Sequence, residues 1–354
     1  MRTVPKTAVE VTEESLDSSG DEALELLNLT RNHEVTSERF DWLYKNNPHG
    51  PAVMWSVRDS ETGKMVGFTV CLPRKMLVNG EERLAWNGAD FSIHPKYRSL
   101  GPAVKLRRAA KEQIDLGRAD FLYAHPNEKM ALIHSRVGHY SVGTMVRYAK
   151  PVRTGKYLSS AGIPKWLATA GSKVLDPIYC TTQGLRLKKP KHGYRTVENM
   201  EFDRRFDDLF QNHSHRHPVI GVRDSAYLNW RYRHNPLYET HAVLAEVDGN
   251  LTGYLLFKID EDSISIKDLF PVHNPEIVQG LLRSLADWGY RERLSSLSFT
   301  LLETNPSIAL LKEFGFGQRA ETSQMFEYTP VGNDDSSILK NSDNWFISVG
   351  DRDV

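Results

Sequence analysis

Apolar positions along the chain alternate between two spacings. Around 22–27 and 38–45 they recur every three or four residues, as on a helix with one buried face, and Asn46, Asn47 and Pro48 stop the second run. Residues 52–58 and 65–73 instead read as strands, and they flank Asp59-Ser60-Glu61-Thr62-Gly63-Lys64, which predicts a hairpin. A further strand is expected over 83–93. Ala103, Leu106, Ala110 and Ile114 then fall at helical spacing after Gly101, with Gly117 as the stop. Residues 119–124 suit a short buried strand, and 128–137 a helix ended by Gly138.

The succession then repeats. Residues 242–247 and 251–259 flank Asp248-Gly249-Asn250 as a second hairpin; 263–270 reads as a strand, 276–288 as a helix, 295–302 as a strand and 307–314 as a helix ended by Gly315. Asn127 and Asn305 each follow a predicted strand and open a helix, with Ala131 and Ala309 four residues on. One duplicated unit explains this better than a short-period solenoid. Alternating strands and helices make each copy α/β or α+β, a mixed central sheet flanked by helices, so two sheets are expected. The expected divisions are a flexible N-terminus (1–20), a first domain (21–150), a basic connector (151–200), a second domain (201–330) and a tail (331–354).

Composition narrows the class. The chain has 354 residues, 40% apolar and 25% charged, an ordinary globular mix with ample material for a core. No apolar run is long enough for a spanning helix, and the polar start has no signal-type apolar region. Two cysteines without metal-ligand spacing, Cys71 and Cys180, suit a reducing cytoplasm. Forty-five basic and forty-five acidic residues balance, which argues against a general nucleic-acid binder. The balance is uneven, since 141–195 holds eleven Lys or Arg and one acid, Asp176. Within 156–178, Trp166, Leu167, Val174 and Leu175 form an amphipathic stripe that suits a membrane surface or a neighbouring domain; packing on a neighbour is the simpler expectation.

The stretch from Phe91 to Lys105 carries the candidate chemistry. A strand ends, the chain turns past Arg98, Ser99 and Leu100 through Gly101, and a helix begins with Pro102 and Ala103. Proline costs nothing at a first helical position. A helix start leaves backbone N–H groups unpaired at a positive dipole end, and glycine lets an anion come close. With Arg98 beside it, this is a candidate pyrophosphate cradle. It is neither a Walker loop nor a dinucleotide fingerprint, since neither glycine pattern is present.

Arg98-x-x-Gly101-x-Ala103 after a strand resembles the R/Q-x-x-G-x-G/A motif of the GCN5-related N-acetyltransferase (GNAT) superfamily. The following strand, Asn127, Ala131 and Gly138 are similar to that family's next strand, asparagine and helix. The segments from Ala226 to Tyr232 and from Asn344 to Asp351 resemble tandem members found among bacterial polysaccharide and nucleotide-sugar genes. The resemblance implies a tandem GNAT fold and acetyl-coenzyme A bound at Arg98–Ala103, with backbone at Ser92 and Ile93 holding the pantetheine arm. It also implies Asn127 near the coenzyme and acetyl transfer to a small amine, an amino sugar or nucleotide-linked amino sugar, by direct attack in a ternary complex. Rival readings are a Fem-type aminoacyl transferase and a non-catalytic acyl-CoA-binding scaffold.

The second copy departs from the motif. Asn274, Pro275 and Glu276 stand where the cradle belongs, and a carboxylate there would repel pyrophosphate, so coenzyme is expected in the first copy only. The family's frequent acid is a tyrosine four residues before the glycine that ends the asparagine helix; His134 occupies that place. His134 and Tyr140 are the candidate acids and Asp90 the candidate base. Weaker features are His213, His215 and His217, whose alternation would share one strand face, and Trp86, Tyr227 and Trp230 as a sugar floor. An acidic tail bearing Asp351 and Asp353 is expected to be disordered unless it reaches the site.

Overall fold

The computed structural model of the chain describes residues 10–153 and 193–353. Most of the basic connector, the stripe within 156–178 and Cys180 lie outside the described residues. The first half runs β1 (Glu10–Glu14), α1 (Leu16–Thr30), α2 (Ser37–Phe40) continuing into a wide turn (Asp41–Lys45), β2 (Val53–Arg58), β3 (Met65–Val78), β4 (Glu81–Ile93), α3 (Leu100–Asp115), β5 (Phe121–Ala124), α4 (Glu128–Arg136) and β6 (Tyr140–Pro151). The second half runs β7 (Gly193–Glu198), α5 (Arg204–His213), β8 (Val219–Gly221), α6 (Ser225–Leu228) with its wide turn (Asn229–Arg233), β9 (His241–Val247), β10 (Asn250–Asp260), β11 (Ser263–Phe270), α7 (Pro275–Arg291), β12 (Ser296–Leu302), α8 (Ser307–Glu313) and β13 (Gly317–Tyr328). The tail adds α9 (Ser336–Leu339) and β14 (Trp345–Phe346).

The strands form one mixed sheet where two are expected. Its order is β1-β2-β3-β4-β5-β13-β6-β12-β11-β10-β9-β7, with β8 and β14 off the path. The order is a palindrome of the two halves, except that their last strands have changed sides. β13 pairs with β5 through Phe326↔Ala124, and β6 pairs with β12 from Met145↔Leu302 to Pro151↔Ser296. The exchange covers the edge that the short strand β5 would otherwise leave open. It also means that a cut near 150 does not separate two complete sheets.

The halves meet at a tryptophan pair. Trp42 and Trp230 stack with ring centroids 5.4 Å apart. Each indole N–H donates to the other residue's carbonyl, at 2.7 and 2.8 Å. The main core draws on both halves, with Phe40, Leu43 and Tyr44 beside Phe206, Leu228 and Tyr232. A second cluster lies under α3, around Trp86, Leu106 and Leu122, and a third under the tail, around Phe121, Met325 and Trp345.

Both chain ends correct the expectation of disorder. β1 pairs with β2, and the Glu14 carboxylate receives Arg58 Nε at 2.8 Å. Ser15 caps α1, so residues 10–20 belong to a strand and a helix. In the tail, Trp345 is 1% exposed and donates its indole N–H to Leu339 O at 2.7 Å. Asp351 is buried against Arg223 (2.6 Å) and Arg74 (3.3 Å). The apolar run Trp345-Phe346-Ile347 supplies the burial that holds this acidic segment in place.

Candidate active site

β4 and β5 are parallel neighbours that part company. Their pairing runs from Ala85↔Phe121 to Gly88↔Ala124 and stops, while β4 continues to Ile93. Beyond Gly88, no described strand pairs with β4 on the β5 side, so backbone groups there face a gap. On its other edge β4 stays paired with β3, through Phe68↔Ser92 and Gly67↔Ile93. Ser92 and Ile93 thus line the split with fixed backbone, and the Ser92 hydroxyl is tied to Thr30 Oγ1.

The cradle follows directly. Arg98 is exposed and its Nε donates to Ile93 O at 3.3 Å, tethering the turn to the strand end. Ser99 is the N-cap of α3 in extended conformation, and its side chain makes no capping bond. No acid lies in the first turn. Gly101 is exposed, and a Cβ added there would meet only Ser99 Oγ, at 4.0 Å. Pro102 and Ala103 face inward, so the turn presents backbone and no side chain at Gly101. The matching start of α7 is closed, because Asn274 Oδ1 accepts from Glu276 N (3.1 Å) and Ile277 N (3.4 Å). Asn127 sits at the exposed start of α4, where its Oδ1 accepts from Met130 N at 3.0 Å.

The acid and base candidates fare differently. Asp90 is the extra residue of a bulge in β4, where the register passes from Thr69↔Phe91 to Val70↔Ala89. Its carboxylate receives Arg31 (2.5 Å), Arg39 (2.8 Å) and the Tyr44 hydroxyl (2.5 Å). Three donors hold this carboxylate in place, so Asp90 organises the wall of the split. Asp90→Asn should cost about 3 kcal/mol of stability by stranding the buried Arg39 guanidinium, measured by denaturant unfolding.

His134 is 1% exposed, with Nδ1 2.8 Å from His139 Nδ1 and its ring against Phe326. Burial, with Arg107 and His139 nearby, holds its pKa well below the usual imidazole range. The ring is enclosed by His139 and Phe326, so His134 reads as a packing residue of α4. Tyr140 is 48% exposed at the start of β6, with Lys340 Nζ 6.0 Å from its ring, and it remains available as an acid.

Residues that the sequence did not single out complete the site. Arg107 reaches from α3 to the sheet, 2% exposed, where Nη2 donates to Thr69 Oγ1 at 3.0 Å and the guanidinium also interacts with the Cys71 thiol. Its Nε and Nη1 are buried without a partner. Gly88 makes room for it, since a Cβ there would lie 2.9 Å from Arg107 Nη1. His125, just past β5, is buried with both ring nitrogens unpartnered. Burial and the Arg352 charge bring its pKa down to about 3.

The tail crosses the opposite face of the split. Tyr123 Oη (3.0 Å) and Asn87 Nδ2 (3.3 Å) donate to Asp351 O, and Arg231 Nη2 donates to Arg352 O at 2.9 Å. This places Asp353 between Asp90, Arg39 and Arg231. Its carboxylate makes no hydrogen bond or ion pair with a described residue. Burial and the Asp90 charge push its pKa up to about 6, against the pull of Arg352, Arg231 and Arg39.

The remaining candidates are structural. Trp86 packs against Trp55 at 5.5 Å, and Tyr227 lies between His49 and the Arg74 guanidinium, so these two form no shared floor, while Trp230 lines a cavity of about 830 Å³ with Trp42, Asn229 and His234. The stretch holding His213, His215 and His217 is a helix end and a tight turn, not a strand, which separates the three rings. Among the described residues no three His, Cys, Asp or Glu side chains gather as a metal site, and no helix is long and apolar enough to cross a membrane.

No family model matches the sequence, and no curated protein matches it. Solved structures do resemble it. A probable N-acyltransferase from Enterococcus faecalis superposes with a TM-score of 0.65 at 13% identity, over 91% of this chain and 73% of that one. A GCN5-related N-acetyltransferase from Anabaena variabilis gives 0.65 at 14% identity, with coverage of 91% and 73%. The N-myristoyltransferase of Saccharomyces cerevisiae, with bound myristoyl-CoA, gives 0.56 at 15% identity, covering 93% and 80%. At these identities the likeness concerns architecture: the chain has the fold of the GCN5-related N-acetyltransferases.

Proposed function

We propose that the chain is an acyl-CoA-dependent N-acyltransferase built from two copies of one unit, with the donor held by the first half alone. The observation that carries this is the asymmetry of the two helix starts. α3 opens on an uncapped glycine turn beside a parted pair of parallel strands, whereas Asn274 consumes the same donors in α7. The residues fit a coenzyme A thioester: the first-turn backbone amides of Leu100 and Gly101 with the Arg98 charge for the pyrophosphate, and backbone at Ser92 and Ile93 for the pantetheine arm. When bound, the thioester supplies the activated acyl group.

The chain's own groups do the rest. Asp353 accepts a proton from the incoming ammonium, since an amine must lose one before it attacks. Arg107, buried on the coenzyme side with Nε and Nη1 unpartnered, stabilises negative charge developing in the split. Tyr140 is the candidate acid for the leaving thiolate. Acetyl is the acyl group and an amino sugar, free or nucleotide-linked, is the acceptor class that the sequence resemblance suggests. The test is acetyl-CoA turnover against a panel of amino sugars and other small amines, followed as released thiol. Turnover on one acceptor class is expected; tight coenzyme binding without turnover on any amine would replace the enzyme reading with a sensor.

A further inference from the structure

Asp90 has a counterpart in the second half. Between β10 and β11 the register passes from Leu256↔Asp268 to Phe257↔Ile266, leaving Lys267 as the extra residue. Each bulge lies three residues before its strand ends. The two positions differ in charge and in compensation. Asp90 is met by three donors, whereas the Lys267 ammonium makes no hydrogen bond or ion pair with a described residue. It stands 4.9 Å from the centre of the Tyr238 ring, and Lys258 Nζ stands 4.9 Å from the same centre. Lys258 is held by Asp260 at 2.6 Å. Arg352, partly buried, also has no hydrogen-bond or ion-pair partner for its guanidinium among the described residues. Arg231 is spent on tail carbonyls.

Cations half removed from water, with one carboxylate among them, cost stability unless something else offsets them. Burial and the charges of Lys258, Arg231 and Arg352 bring Lys267 down to a pKa of about 7, which is that cost expressed on one group. An arriving anion would relieve it.

We propose that Lys267 and Lys258, both over Tyr238 and with the Arg352 charge acting on Lys267, form an anion-binding bay that receives a phosphate or carboxylate carried by the acceptor amine. The identity of the ligand as the acceptor rests on the acyl-transfer reading. The placement suits it, because Arg352 directly precedes Asp353 on the tail. The Arg352 charge acts on Lys267 and also on His125 at the mouth of the split. On that reading an acceptor with its anion in the bay would present its ammonium toward Asp353.

The test is calorimetric titration of the full chain with inorganic phosphate and, separately, acetate, with no acyl donor present. Saturable binding of one of them is expected. It should weaken about tenfold in Lys267→Met, roughly 1.4 kcal/mol, while the melting temperature stays level or rises. Binding should survive in Gly101→Val, which separates the bay from the cradle. Lys267→Gln and Arg352→Gln repeat the measurement should the methionine variant not fold. The preferred anion identifies the phosphate or carboxylate source. Equal affinity in wild type and variants, or no binding of either anion, overturns the bay. Binding at the bay with no amine acylated leaves the bay standing and overturns the acyl-transfer reading, while turnover with an acceptor KM unmoved by Lys267→Met does the reverse.

Discussion

Gly101→Val should abolish coenzyme A binding without unfolding the protein. A Cβ added there would meet only Ser99 Oγ, at 4.0 Å, so the position has room for a branch point. Gly101 lies within α3 and needs no left-handed conformation, so valine is expected to favour the helix by a few tenths of a kcal/mol, about the propensity difference. The isopropyl group would, however, stand over the first-turn amides and hold a pyrophosphate out of hydrogen-bond range. A loss of about 100-fold, ~2.7 kcal/mol, is expected by calorimetry, with an unchanged or slightly raised melting temperature. Glu276→Gln, at the closed start of α7, should leave the affinity unchanged. Full binding by the valine variant would place the coenzyme elsewhere.

The strand-to-helix joint there was legible because its signal is local, although α3 opens at Leu100, two residues before the proline expected to begin it. A strand, a glycine turn and a proline at the helix start are contiguous in sequence, and they are contiguous in space. The same holds for the turn at Asp59–Lys64 and for Asn274 as a cap. Strand ends were less legible. Pro73 reads as a stop, yet β3 runs on to Val78, because Pro73 still faces Trp86 across the ladder. The real turn is Asn79-Gly80, both at positive φ (50° and 84°), a hairpin signal that lay in plain view. So did a repeat: Trp42-x-Tyr44-x-x-Asn47-Pro48 returns as Trp230-x-Tyr232-x-x-Asn235-Pro236, 188 residues on, and it supplies the stacked pair where the halves meet.

What was not legible depends on distant partners. Nothing near Asp90 in sequence announces Arg31, Arg39 or Tyr44, and those three donors make it part of the wall. His134 was placed on the right helix, but helical spacing does not reveal that α4 turns this face toward His139 and Phe326. The exchange of β6 and β13 leaves no local trace either, since either strand satisfies its alternation against either neighbour. The tail was misread because its charge was weighed above its apolar run, although Trp345, Phe346 and Ile347 bury as deeply as any core segment.

The tail also carries the second large effect. Asp353→Asn should lower kcat by about 10²–10⁴ while leaving the Kd for acyl-CoA within about twofold, because the carboxylate acts on the acceptor's proton and lies on the face away from α3. The pH profile gives a second readout. A base must be ionised, so wild-type activity should fall as pH drops through about 6, the value to which burial and Asp90 push this carboxyl. In the asparagine variant that limb should vanish, leaving a low, flatter profile. Stability moves the other way from Asp90→Asn. A carboxyl whose folded pKa is raised holds its proton to higher pH in the folded chain than in the unfolded one. Its ionisation therefore costs stability, and the cost grows as pH rises from the ordinary carboxylate range through about 6. Asparagine removes that cost, so at pH 8 the variant should unfold no earlier than wild type. A drop in kcat together with a loss of stability would make Asp353 a structural partner of the arginines around it; a drop in kcat alone, with the acid limb gone, is what a proton acceptor at the split requires.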